Sequence, residues 1–366
     1  MNYSKKTRTP NRQSLQLSRK LDHLQLTKEL DDGPLSTGFE DVHLIHQAVS
    51  PLQLDEVDSG VTFCNKKLSV PFIINAMTGG PEISSHINAC LARVAAELHM
   101  GMAVGSQALA LNDPNAALTY TIARQENPHG LILANLSALA SPDEALRAIE
   151  MLSADGLQLH LNAAHELAMA EGDRDFRRAL DNIAAIVEKV PVPVIMKEVG
   201  FGLSVETARQ LFAHGVAHFD VGGQGGTNFG TIERVRQKQA GPSVFELWGI
   251  PTAVSVAEVS SQGLPVTIIA SGGIRSALDG VKAMALGADL IGIAGPVVKL
   301  LLDHTEAEVL NYFHRLIYDF RALMLLAGAR SLEDLKKVPV VITGRTKDWL
   351  EQRGILDHYR QRTRIH

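Results

Sequence analysis

Residues 268–275 read IIASGGIR, and residues 285–296 read ALGADLIGIAGP. The apolar run Val266-Thr267-Ile268-Ile269-Ala270 has the composition of a buried strand. It ends in Ser271-Gly272-Gly273-Ile274-Arg275, where two glycines let the backbone close on an anion and leave N–H groups free to bind it. Ser276, Ala277 and Leu278 then open a helix, whose positive end favours phosphate. A second short strand, Leu290-Ile291-Gly292-Ile293, ends in Ala294-Gly295-Pro296. Two successive strand-to-loop junctions with glycines at the carboxyl ends are the phosphate-site layout of a (β/α)8 barrel after its seventh and eighth strands.

Upstream, the same unit of short strand, loop and amphipathic helix recurs. Strands are expected at 71–76, 102–105, 131–134, 157–162, 192–196 and 218–221, with a first helix from about Ser84 to His99. Eight units give a (β/α)8 TIM barrel with an N-terminal extension and C-terminal closing helices. A doubly wound sheet is the alternative, but no GxGxxG follows the first strand. The barrel is expected over 71–366. Residues 1–70 form the extension, with a hairpin across Asn65-Lys66 and an irregular or helical stretch from Phe39 to Pro51. The Gly-rich, polar stretch GGQGGTNFGTIERVRQKQ begins a lid loop at about 222–247.

The 366 residues are 45% hydrophobic and 20% charged, which suits one large α/β barrel. A net charge of -5 implies no global pull toward nucleic acid. The only two cysteines, Cys64 and Cys90, form no CxxC, so neither a disulfide framework nor a cysteine zinc site is expected. No apolar run is long enough to span a bilayer and no secretory signal is visible, so a cytoplasmic protein is expected. Residues 1–21 carry Lys5, Lys6, Arg8, Arg12, Arg19 and Lys20 with no acid. The first fifteen read as a solvated tail. Arg19-Lys20-x-x-His23 places three cation-capable groups within about one helical turn, a spacing that could cap a phosphate or diphosphate.

In a barrel the working groups stand at strand ends. Here those are Thr78, Ser106, Asn135, His160, Asn162, Lys197, Thr227, Arg275 and Gly295. No Ser-His-Asp triad and no pair of glycosidase carboxylates is among them. Two glycine junctions and a lysine ending the fifth strand fit a planar phosphorylated cofactor. Lys197 suits negative charge on a flavin ring, or a Schiff base of aldolase type. His160 shares a strand face with Gln158 and Asn162, as a site residue or as a satisfied core histidine. Glu166 reads equally as a one-carboxylate Mg²⁺ ligand and as a solvated first-turn acid. His160, His165 and Glu166 match no standard zinc spacing.

Asn75-Ala-Met-Thr-Gly-Gly80, Ala103-Val-Gly-Ser106, Leu159-His-Leu-Asn162, Lys197-Glu-Val-Gly-Phe-Gly202, Gly225-Gly-Thr-Asn-Phe229, Ala270-Ser-Gly-Gly-Ile-Arg275 and Ala294-Gly295 occur in one order. In that order they resemble the type 2, FMN-dependent isopentenyl-diphosphate isomerases, from Arg19 to about residue 350. The resemblance implies interconversion of isopentenyl and dimethylallyl diphosphate for isoprenoid biosynthesis, with Mg²⁺ and with FMN reduced by NADPH. Ala76, Met77, Thr78, Ser106, Asn135, Lys197, Gly222, Thr227, Gly272, Gly273, Arg275, Ala294 and Gly295 are the implied FMN contacts. Arg19, Lys20 and His23, with Ser106 and His165, are implied to hold the substrate. Glu166 is implied to ligate Mg²⁺, and His160, Asn162 and His165 to line the reacting centre. Reduced FMN itself is implied to act as acid and base, in keeping with the absence of a visible protein acid strong enough to protonate an alkene. A homotetramer or homo-octamer is implied too.

This chain departs from the pattern at His165, where the family usually has Gln. It departs again at Ala108, often basic, at Gly222, often serine, and at Ala170, often proline. A flavin oxidoreductase of the 2-hydroxy-acid type is the alternative on the same barrel. It calls for a histidine base near strands 6 to 7, where the loop after Val221 offers Gln224 and Asn228 instead. A catalytically impaired FMN-binding homologue is the third reading, motivated by His165 and Ala108.

Overall fold

The structure, a computed structural model, describes residues 12–363, with side chains from Leu17 onward. Lys5, Lys6 and Arg8 of the basic tail lie outside the described residues. Eight strands make a closed, all-parallel barrel in sequence order: β1 (Phe72–Ile74), β2 (Gly101–Ala103), β3 (Ile132–Ser137), β4 (Gly156–Leu161), β5 (Val194–Glu198), β6 (His218–Asp220), β7 (Thr267–Ser271) and β8 (Leu290–Ile293). Helices follow the strands and cover the outside, as parallel pairing requires. No helix among the described residues is long and apolar enough to cross a membrane.

Alternation along the strands sorts side chains into two cores. Met102, Ile132, Leu157, Met196, Phe219 and Ile291 belong to the larger cluster shared with the helices. Ile73, Ala103, Leu133, Ile195, Ile269 and Leu290 form a separate layer inside the barrel, together with Phe63 and Leu68. Those last two come from a hairpin, Val61–Phe63 paired with Lys66–Leu68, which plugs the amino-terminal end of the barrel. Each such buried side chain contributes about 1.5–3 kcal/mol. The hairpin turns at Cys64-Asn65, one residue before the expected Asn65-Lys66. Both residues have positive φ, 46° and 59°, as a two-residue type I′ turn demands.

The extension differs from its sequence reading in one further place. After a short 3-10 turn at Phe39–Asp41, residues Val42–Leu44 are a strand, antiparallel to Val340–Ile342 near the other end of the chain. Local pattern carries no sign of a partner almost three hundred residues away. Ahead of it, Arg12–Glu29 is one helix, packed on the helices Phe229–Arg236 and Gly295–Asp303. The expected lid, 222–247, is itself structured. Asn228 caps the helix Phe229–Arg236 by accepting from the Thr231 N–H, and Val244–Glu246 is a 3-10 turn.

The helix after β7 starts as expected at Ala277, but its N-terminus is already occupied. Ser276 accepts from the Asp279 N–H, and Asp279 accepts from the Ser276 and Arg275 N–H groups. This capping box uses the donors that an anion would need. Gly295, directly after β8, starts a helix at the cavity with no side-chain cap.

Candidate active site

One cavity at the carboxyl ends of the strands gathers most of the residues singled out above. It is lined by Arg19, Lys20, His23, Ala76, Met77, Ser106, Asn135, His160, Asn162, His165, Glu166 and Lys197, and by Gly222, Thr227, Gly272, Gly273, Arg275, Ala294 and Gly295. Thr78 is not among the lining residues. Its hydroxyl is buried and bonded to Ser84 Oγ at 2.6 Å.

Above the apolar layer the barrel interior turns polar, because the register sets the strand ends side by side. His160 lies opposite Lys197, Lys197 opposite Asp220, and Ser271 opposite Gly292. Asp220 is fully buried. Its carboxylate pairs with Lys197 Nζ at 3.1 Å and accepts from Asn75 Nδ2 at 2.6 Å and from Ser271 Oγ. The chain of amides continues from there. Gln158 donates to Asn75 Oδ1 at 3.0 Å, and Asn135 donates to Gln158 Oε1 at 3.2 Å. His160 Nδ1 donates to Asn135 Oδ1 at 3.0 Å, which leaves Nε2 as an acceptor. Burial, then the positive surroundings of His165, Lys197, Lys20 and Arg19, pull the His160 imidazole down to about 3. It is therefore neutral at physiological pH and acts by hydrogen bonding, not as a cationic acid. Lys197 stands at the cavity wall, paired with its buried partner.

The phosphate corners lie together on one rim. Gly272 and Gly273 have φ of 101° and 70°, in the region that only glycine enters freely. A Cβ on Gly272 would sit 2.1 Å from Gly223 O, and one on Gly226 would sit 2.5 Å from Gly273 N and 3.3 Å from Arg275 Nη2. A Cβ on Gly295 would lie 3.0 Å from Thr227 Oγ1. Backbone from three strand ends thus meets around Arg275 and Thr227 in a cradle that side chains would fill. The donor set fits the terminal phosphate of a flavin mononucleotide, and Lys197 fits its ring. Arg275 also makes a bidentate pair with Asp32 of the extension, at 2.6 and 2.7 Å. The extension therefore lies against the cradle; Gly33 N donates to Gly226 O at 3.2 Å.

The long N-terminal helix presents its basic groups to the same cavity. Lys20 Nζ donates to Gly79 O at 2.6 Å, Ser106 O at 2.7 Å and Tyr120 Oη at 2.6 Å. Burial and neighbouring Arg19 pull its pKa down to about 7, while three acceptors hold the ammonium in place. Glu166 receives Asn162 Nδ2 on one oxygen at 2.7 Å and the Asp173 N–H on the other at 2.8 Å.

Sequence reasoning passed over Glu233. This carboxylate, 1% exposed, bonds His23 Nε2 at 2.8 Å, His165 Nε2 at 3.2 Å and Arg236 Nε at 2.7 Å. Burial pushes its carboxyl up, but the bonds from His165, His23 and Arg236 outweigh that and keep it ionised. Burial pulls His23 down from the usual imidazole range, against its bond to Glu233. Phe229 stacks on His165 with ring centroids 4.5 Å apart.

A family profile described as FMN-dependent dehydrogenase matches residues 123–341. A protein of Moorella thermoacetica called isopentenyl-diphosphate delta-isomerase is 50% identical over 337 residues, covering 92% of this chain and 96% of its own. One of the same name from Methanothermobacter thermautotrophicus is 42% identical over 339 residues, with the same two coverages. Among solved structures, a mandelate oxidase with (S)-4-hydroxymandelic acid superposes with a TM-score of 0.64 at 16% identity, covering 90% of this chain and 97% of its own. At that identity the likeness speaks for the barrel alone.

Proposed function

The chain belongs to the isopentenyl-diphosphate delta-isomerase family, and on that premise we propose that this cavity converts isopentenyl diphosphate into dimethylallyl diphosphate with the aid of FMN and Mg²⁺. The observation that carries the reading is one cavity lined both by the glycine cradle with Lys197 and by Arg19, Lys20 and His23. The reaction moves one proton on and one proton off an allyl unit. When bound, reduced FMN supplies that acid and base. Lys197, fixed by Asp220, offers positive charge to the flavin ring. The cradle of Gly272, Gly273, Gly295, Thr227 and Arg275 holds the flavin phosphate.

Arg19, Lys20 and His23 bind the substrate's diphosphate, and Glu166, its carboxylate oriented by Asn162, ligates Mg²⁺ beside it. Binding energy spent on the diphosphate orients the reacting alkene. His160, Asn162, His165 and Phe229 line the remaining wall. NADPH as reductant and a homotetrameric or homo-octameric assembly belong to the same proposal. The 2-hydroxy-acid reading is weaker: residues 221–250 contain no histidine, and of the three histidines that line the cavity His23 and His165 are tied to Glu233 and His160 to Asn135.

The deciding experiment reduces the protein with NADPH, adds isopentenyl diphosphate and Mg²⁺ in D₂O, and follows products by NMR. Deuterated dimethylallyl diphosphate without stoichiometric NADPH use is expected. Steady NADPH or O₂ consumption with a hydroxy acid, and no allylic product, points to the oxidoreductase instead. Glu166→Ala is expected to weaken Mg²⁺-dependent turnover by about 100-fold or more while the purified protein stays yellow; a colourless product counts against the assignment.

Lys20 gives the substrate step a pH signature. The free lysine is charged below about 7 and neutral above it, and an incoming diphosphate favours the charged form. Diphosphate binding should therefore take up more protons at about pH 8 than at about pH 6, an excess absent from Lys20→Arg, which cannot titrate. Calorimetry in buffers of different ionisation heat measures the count. Equal proton uptake by the two proteins at the higher pH contradicts the role.

A further inference from the structure

His23, His165 and Glu233 belong to three separate helices, yet their ligand atoms all lie within 4.8 Å of one another. Two imidazole nitrogens meet a single carboxylate oxygen, Glu233 Oε1, at 2.8 and 3.2 Å. In a tetrahedral zinc site, bonds of about 2.0–2.2 Å set ligand atoms roughly 3.3–3.5 Å apart. The two nitrogen–oxygen separations already lie close to that spacing, and bringing the imidazole nitrogens, at most 4.8 Å apart, onto it completes a chelate. The supporting contacts are those of a built site. Glu233 Oε2 is held by Arg236 Nε at 2.7 Å, and Arg236 is held in turn by Glu171 at 2.6 Å, which leaves Oε1 toward the imidazoles. Phe229 stacks on His165 and meets His23 edge-on, limiting how far either ring can turn away.

We propose that His23, His165 and Glu233 form a second metal site at the mouth of this cavity, selective for a borderline divalent cation of the zinc, cobalt or nickel type and distinct from the Mg²⁺ position at Glu166. Two imidazoles and one carboxylate suit those ions, whereas Mg²⁺ prefers oxygen ligands. A fourth position stays open toward the cavity for water or a phosphate oxygen. A cation bound there takes His23 away from the diphosphate, so zinc acts as an inhibitor that Mg²⁺ does not relieve. That consequence rests on His23 serving the substrate; the binding itself does not.

The test is calorimetric titration of the untagged, FMN-loaded chain with zinc chloride in excess Mg²⁺, without substrate. The expected result is one zinc per chain bound at this cluster. Its affinity should fall more than about 100-fold in His165→Gln and in Glu233→Gln, since loss of a ligand exceeds the 10–100-fold cost of losing a supporting contact. It should be unchanged in Glu166→Gln and in His129→Gln, an exposed histidine. Retained flavin absorbance shows that each variant is folded. Wild-type affinity in folded His165→Gln overturns the proposal, as does loss of the zinc in Glu166→Gln. A zinc-edge anomalous difference map of the wild-type crystal stands apart from any variant: a peak between the three ligand atoms supports the site, and zinc found only elsewhere overturns it. Because no turnover is measured, a failed isomerase assay leaves this result intact.

Discussion

Asp220→Ala should lower the folding free energy by about 3–5 kcal/mol, the cost of leaving one partner of a buried pair unmatched. The fully buried aspartate is the only acid in contact with Lys197 among the described residues. It also anchors Asn75 and Ser271, and through Asn75 it begins the chain that ends at His160. Removing it strands an ammonium inside the barrel and leaves the Asn75 and Ser271 donors unpaired. Chemical denaturation of the flavin-free protein measures the loss without stabilisation by bound cofactor. A double variant, Asp220→Asn with Lys197→Met, should recover most of it, since no buried charge remains. Stability close to wild type for Asp220→Ala alone would mean that water from the cavity replaces the carboxylate at Lys197, and the pair would not be a structural one.

Gly272→Ala should yield protein that purifies without its yellow colour. The added Cβ would lie 2.1 Å from Gly223 O, a backbone atom with no side-chain freedom to move aside. Positive φ adds about 1–2 kcal/mol for any residue with a Cβ. To make room the Gly222–Gly226 segment must shift by roughly 1 Å, which spoils at least two charge-assisted bonds of about 1.5–3 kcal/mol each. The expected loss of FMN affinity is on the order of 10²–10⁴-fold. Titration of the flavin-free protein with FMN, followed by quenching of flavin fluorescence, gives the number. Wild-type affinity would remove the phosphate from this corner. The barrel should survive, because Gly272 lies beyond the last residue of β7.

The eight strands were legible because a buried parallel strand is a short apolar run, and each run here stops at a polar or glycine residue that reaches the mouth. His160 and Lys197 could be found for the same reason, as polar groups ending such runs. Asp220 also ends one, and an acid beside Phe219 and Val221 was a usable signal, but nothing local pairs it with Lys197. Glu233 left no signal. It stands in a run of Arg, Gln and Lys that reads as a solvated helix face, and only tertiary packing brings His23 and His165 onto it. The pairing of Arg275 with Asp32 was hidden likewise, since 243 positions separate them. The capping box at Ser276 was readable from Ser276-x-x-Asp279, and it moves the anion-facing helix start from residue 277 to Gly295.

The hairpin that stoppers the amino-terminal end of the barrel has a kinetic consequence. With Phe63 and Leu68 filling that end, the interior is a vessel with one opening. Flavin and diphosphate must share that opening, and the helix bearing Arg19, Lys20 and His23 stands across it. With the flavin placed in the glycine cradle and the diphosphate on Arg19, Lys20 and His23, as proposed, the flavin would load first and leave last, and substrate and product would exchange above it.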